Sequence, residues 1–156
     1  MHNSSWDLFE DLSPDKVDEL LSLASPISLL EGEELFVLGD EADRVFLVVS
    51  GQIRLTLPLS VGERLVDVMV GERMPGHLVG WSGLIPPHRF TVKAVAAADA
   101  KLLALARPIL LAYFKDMPEV GYLVYSNLAR IVGQRLQVFQ TIWVREMQHV
   151  VKTKTT

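Results

Sequence analysis

The chain has no cysteine in 156 residues. That excludes a disulfide framework, a thiolate metal site and a cysteine nucleophile, and it fits a reducing compartment. No run reaches the ~18 uninterrupted apolar residues of a spanning helix, so no membrane association is expected. The opening MHNSSWDLFEDLS has neither a cationic stretch nor an apolar one. No signal peptide is expected there, and a cytoplasmic location is. Basic residues are outnumbered, 15 Lys and Arg against 19 Asp and Glu. The formal net charge of -4 argues against generic DNA binding. Gly-x-Ser-x-Gly, the P-loop and Gly-x-Gly-x-x-Gly are also missing, which removes the usual sequence signatures of serine hydrolases and nucleotide-dependent enzymes.

What is present suits one globular domain, with 49% hydrophobic and 22% charged residues. The charge is uneven. Residues 1–43 hold 12 of the 19 acidic residues and one basic residue, Lys16, whereas residues 100–156 hold 8 basic and 3 acidic residues. The acidic run reads first as a solvated face, and pairing of the two ends is the alternative.

The chain opens helical. Asp7 to Leu12 predicts a short turn. Ser13-Pro14 predicts a helix start, with serine as cap and proline in the first turn. Val17, Leu20, Leu21 and Ala24 then form one apolar stripe, and Pro26 is expected to end the helix. From Ile27 the period becomes two: ISLL, ELFVL, RVFLVVS, QIRLTLPL and RLVDVMV read as short strands between glycine-bearing turns. Two further strands are expected at Arg89–Ala97 and Lys101–Leu105. Many short strands at close spacing predict a mainly β fold, a jelly roll or β-roll, with flanking helices.

The last third is helical. Arg107-Pro108 opens one helix, to about Lys115. Asp116-Met117-Pro118-Glu119 reads as a capping box for a final helix running to about Val151. That helix carries two apolar stripes. One is Val120, Val124, Leu128, Ile131, Val138 and Ile142; the other is Val132, Leu136, Phe139, Trp143, Met147 and Val150. The near-heptad spacing of Leu136, Phe139, Trp143 and Met147 predicts pairing with a second copy, although Arg135 and Arg145 interrupt the seam.

The stretch Gly71–Ala94, GERMPGHLVGWSGLIPPHRFTVKA, is a glycine- and proline-rich turn system. Backbone N–H groups bunched in such a segment can hold an anion. In this order of elements the chain resembles the cyclic-nucleotide-binding domain of the catabolite-activator and FNR superfamily. The residues that carry the likeness are LLEGEELFVLGDEADRVFLVVSGQIRL at 29–55, Pro75-Gly76-His77-Leu78-Val79-Gly80, and Thr91-Val92-Lys93-Ala94. The resemblance covers residues 10–145. It implies a ligand cassette at Gly80, Trp81, Ser82, Gly83, His88, Arg89 and Thr91, and a cyclic nucleotide or another small anion as ligand.

The departures bear on that ligand. The resemblance implies a ribose-binding glutamate directly after Gly80, where this chain has Trp81. It implies a phosphate-binding arginine at the start of the exit strand, where this chain has His88, with Arg89 next to it; which of the two faces the pocket is left open by a shortened loop. Losing both contacts costs roughly 2–5 kcal/mol, or ~30- to several-thousand-fold in affinity, so high-affinity cyclic AMP binding in the usual mode is not expected. Trp81 either fills the pocket or offers a flat wall to an aromatic or acidic ligand. The DNA-binding members of the superfamily carry a helix-turn-helix after the long helix. Only Lys152-Thr153-Lys154-Thr155-Thr156 follow here, so direct DNA binding is not expected.

The expected organisation is an N-terminal helical segment at 1–26, a β-roll at 27–106 and C-terminal helices at 107–156, the last dimerising. The expected function is sensory or regulatory, not catalytic, as a stand-alone domain. One alternative is a degenerate, ligand-free module for dimerisation or for binding another protein. A second is a cupin-like metal enzyme built on His77, His88 and Glu72; the four histidines His2, His77, His88 and His149 lack metal-site spacing, so no metal is expected.

Overall fold

The computed structural model describes residues 5–155; His2 lies outside them. A single helical turn at Asp7–Phe9 precedes α1 (Pro14–Ser22). Eight strands follow: β1 (Ser25–Leu29), β2 (Glu34–Phe36), β3 (Arg44–Ser50), β4 (Ile53–Val61), β5 (Arg64–Arg73), β6 (Leu78–Val79), β7 (Lys93–Ala96) and β8 (Ala100–Ala106). The chain closes with α2 (Arg107–Asp116) and α3 (Pro118–Thr155). The strands form two antiparallel four-stranded sheets, β1-β8-β3-β6 and β2-β7-β4-β5. This is the jelly-roll architecture with flanking helices and a long C-terminal helix that the strand spacing predicts.

The first sheet is covered on both faces, and this explains the nearly continuous apolar run of β3. Val45 and Leu47 face a helical layer that includes Leu8, Leu20, Leu110, Val124 and Leu128. Phe46 and Val48, in the opposite phase, face the second sheet and share a core with Phe36 and Ile53 from it, Val79 of β6 and Phe90 of the turn segment. Strand alternation divides the two cores. In α1 the Ser13 side chain accepts a hydrogen bond from the Lys16 N–H at 3.4 Å, as a cap should.

Local expectations shift in three places. Helix α1 ends at Ser22, and Pro26 lies inside β1, an edge strand where its missing N–H costs no interior ladder bond. Asp116 belongs to the end of α2. The carbonyl of Met117 instead accepts the Val120 and Gly121 N–H groups at 3.0 and 3.1 Å, so Met117 opens α3. The strand expected over Arg89–Ala97 contracts to Lys93–Ala96, because residues 86–92 are turns and one isolated bridge, Glu41 to Arg89.

Helix α3 has 38 residues, about 57 Å at 1.5 Å per residue. Its first half is anchored: Val120, Val124, Leu128 and Ile131 are buried. Asn127, also buried, donates to the carbonyls of Leu8 at 3.0 Å and Glu10 at 2.8 Å, tying the N-terminal turn to the helix. The second half presents large apolar side chains to solvent. Leu136 is 54% exposed, Phe139 48%, Trp143 57% and Met147 40%.

Candidate functional site

A cavity of about 450 Å3 lies where the second sheet, the Gly80 turn and α3 meet. Strands β2 and β4 contribute Phe36, Leu55 and Leu57. Strand β5 contributes Val70 and Arg73, and α3 contributes Val132, Arg135, Leu136 and Phe139. The turn and the segment after it supply Gly80, Trp81, Ser82, Phe90, Thr91 and Val92.

Gly80 makes the wall possible. Its φ is 80°, in the left-handed region that glycine enters without penalty. A Cβ there would lie 3.1 Å from Phe90 and 3.3 Å from each of Phe36 and Phe46. Phe36 and Phe90 stack face to face, with centroids 3.7 Å apart and planes 6° apart. The chain therefore passes directly over an aromatic floor. Trp81 packs partly against the helical-layer core and forms one side of the cavity. The space beside it is of ligand size, so the indole is a wall and not a plug.

The sequence-derived cassette splits in two. Gly80, Trp81, Ser82 and Thr91 line the cavity, while Gly83, His88 and Arg89 lie outside its lining. Gly83 is buried against the Arg44 carbonyl, 2.3 Å from where a Cβ would sit. His88 has φ 58°, and its Nδ1 lies 3.0 Å from the Ser82 carbonyl oxygen, so the ring braces the turn. Arg89 is exposed and donates to the Gly39 carbonyl at 3.3 Å. The N–H groups of Gly83, Leu84 and Ile85 are spent on the turn's own carbonyls, at 3.0, 3.0 and 3.3 Å. They are not gathered for an anion.

Two arginines take the inward place. The β4–β5 register slips by one residue between Leu55 and Thr56. Strict alternation from Val66, Val68 and Val70 would put Glu72 on the inner face. The slip turns Glu72 outward to Gln52 and pairs Arg73 with the fully buried Ile53, so Arg73 points inward. Arg135 donates to the Leu78 carbonyl at 2.6 Å and lies 3.9 Å from Asp7, whose carboxylate accepts the Leu78 N–H at 3.0 Å. Burial lowers the Arg135 pKa to about 10; the Arg73 charge acts in the same direction and Asp7 opposes both. Burial also lowers the Arg73 pKa, again opposed by Asp7. The sequence does mark Arg135, as one of two cations that interrupt the apolar seam of α3. Nothing local marks Arg73.

The residues of the cupin alternative do not converge. His77 Nδ1 accepts the Met74 N–H at 2.9 Å, His88 braces the turn, and Glu72 faces outward. No group of three or more His, Cys, Asp or Glu that could hold a metal ion is found among the described residues. No helix among them is long and apolar enough to cross a membrane.

Residues 26–117 match the family model described as the cyclic nucleotide-binding domain. The chain belongs to that family. Among its relatives is a cyclic AMP receptor protein of Thermus thermophilus, 34% identical over 130 residues, covering 83% of this chain and 57% of the relative. A CRP-like cAMP-activated global transcriptional regulator of Mycobacterium tuberculosis is 21% identical, with 55% of its length covered. This cyclic nucleotide-binding domain thus spans about half the length of the curated relatives it matches. The crystal structure of Thermus thermophilus catabolite activator protein superposes with a TM-score of 0.73 at 30% identity, covering 91% of this chain and 63% of that one. A cyclic nucleotide-binding domain from Methylobacillus flagellatus gives a TM-score of 0.78 at 19% identity, covering 88% and 76%, a likeness of fold alone.

Proposed function

We propose that this chain is a regulatory domain that binds a small ligand in the cavity beside Gly80 and reports occupancy through α3. Residues 27–106 act as the sensor and residues 107–156 as the output. The observation that carries the reading is that α3 is itself a wall of the cavity. Val132, Arg135, Leu136 and Phe139 line it, and the same helix continues through an exposed apolar stripe at Trp143 and Met147. A ligand held between the β-roll and α3 touches the element that leaves the domain. By linkage it changes the helix arrangement only as far as it binds one arrangement better than another.

The ligand is not cyclic AMP bound in the family's usual mode. The ribose-binding position is Trp81, and Arg89 is directed at Gly39 instead of the cavity. The exposed stripe pairs with α3 of a second copy. Leu136, Phe139, Trp143, Met147 and Val150 follow spacings of three and four, the pattern of a two-helix seam.

Sedimentation equilibrium tests both parts. The chain is expected to sediment as a dimer, with a dissociation constant that moves when a cavity ligand is added. A monomer at micromolar concentration refutes the pairing. A dimer whose dissociation constant is indifferent to every compound that raises the melting temperature refutes the signalling. If no nucleotide or anionic metabolite raises the melting temperature at all, the interaction-module reading replaces the sensory one.

A further inference from the structure

The cavity combines two guanidinium groups with an otherwise apolar lining, and this combination specifies a ligand class. No acidic side chain lines it, and its neutral polar side-chain groups are the Ser82 and Thr91 hydroxyls and the Trp81 indole N–H. Arg73 donates to the Glu72 carbonyl at 2.8 Å, but its Nε is buried with no hydrogen-bond partner among the described residues. Such an unmet donor is costly, more so on a charged group. The nearest counter-charge is Asp7, 3.9 Å from Arg135 and already occupied by the Leu78 N–H. Two cations and one carboxylate leave one positive charge unbalanced, which a monoanion neutralises.

Resting on the sensory reading above, we propose that the ligand is a small amphipathic carboxylate. Its carboxylate pairs with Arg73 and Arg135, and its aromatic or short acyl body lies against Trp81, Phe90, Leu136 and Phe139. A guanidinium pairs with a carboxylate through two parallel N–H donors, which a lysine could not reproduce. A cyclic nucleotide carries the same single charge, but its ribose and base need more polar partners than two hydroxyls and one indole N–H supply. The position of Arg135 connects this binding to the output. A carboxylate arriving at Arg135 competes with Asp7, which holds the N-terminal turn to β6 through the Leu78 N–H and the Gly76 carbonyl.

The test uses the full chain and isothermal titration with a series of aryl and straight-chain carboxylates of about six to twelve carbons, sized to such a cavity. Each acid is paired with its neutral amide, and cyclic AMP and inorganic phosphate are run alongside. At least one acid is expected to bind about 10- to 100-fold more tightly than its amide, the scale of a charge-assisted hydrogen-bond pair. Arg73→Gln is expected to abolish that preference and Arg89→Gln to leave it intact. If Arg135→Gln fails to fold, Arg73→Gln together with Arg135→Lys carries the test. Acids and amides binding equally would overturn the anion anchor and leave the sensory reading standing. Cyclic AMP binding that depends on Arg89, with no acid binding, would overturn the carboxylate assignment. Binding by none of these compounds, with no change in melting temperature, would overturn both.

Discussion

Replacing Gly80 by alanine isolates the contact on which the cavity is built. Two costs arise. The first is backbone: φ at 80° places an L-residue in the left-handed region, at about 1–2 kcal/mol. The second is steric. The new methyl group meets three aromatic rings at 3.1, 3.3 and 3.3 Å, and overpacking a filled core costs about 1–3 kcal/mol. The rings cannot simply retreat, since Phe36 and Phe90 already stack at 3.7 Å. Gly62→Ala is the matched control. Its φ is 64°, and a Cβ there meets nothing within 4 Å, so it carries the backbone cost without the clash. Gly80→Ala is therefore expected to destabilise the fold by about 2–5 kcal/mol, and by ~1–3 kcal/mol more than the control. Urea denaturation at one fixed protein concentration, with equal m-values required, measures the difference. Gly80→Ala no more destabilised than Gly62→Ala would show that the aromatic floor yields freely and does not define the cavity.

Three further outcomes follow from other contacts. Trp143→Glu, at a position 57% exposed on α3, should weaken self-association about 30-fold or more without lowering monomer stability; sedimentation velocity over a dilution series reads this. Asn127→Ala strips the Leu8 and Glu10 carbonyls of their donor and should cost about 1–3 kcal/mol. Limited proteolysis should then cut first near Asp7–Phe9. Tyr113 has its pKa pushed up to about 12, mainly by burial and then by its hydrogen bond to Glu19. A raised pKa means that the folded state holds the proton longer. This contribution to stability is fully present below the ordinary tyrosine pKa of about 10 and is lost as pH rises through 12. Burial also raises the Tyr125 pKa, so alkaline absorbance titration should show late phenolate absorbance of which Tyr113→Phe removes the last-titrating part; a variant that titrates like the native chain at high pH would refute the assignment.

The amino-acid sequence by itself determined whatever depends on neighbours along the chain. Period-two alternation marked β4 and β5, a short apolar run between turn signals marked β3, Ser13-Pro14 marked the start of α1, and the apolar repeat from Val120 marked α3, since each depends on residues within a few positions. The turn around Gly80 was legible too, because a glycine in that setting has a local backbone reason. Which side chains face the cavity was decided only by tertiary structure. A one-residue slip in the β4–β5 ladder exchanged Glu72 for Arg73, and the turns before β7 left Arg89 outside. The first outcome rests on strand register, which inverts the facing of a side chain with a single step, and the second on the path of a turn; both are set by contacts with residues distant in the chain. Helix α3 divides along the same line. Its apolar stripes are written in the sequence, but the β-roll buries Val120 to Ile131 and ends before Trp143. Only the fold sets where burial of the helix stops and its exposed apolar stripe begins.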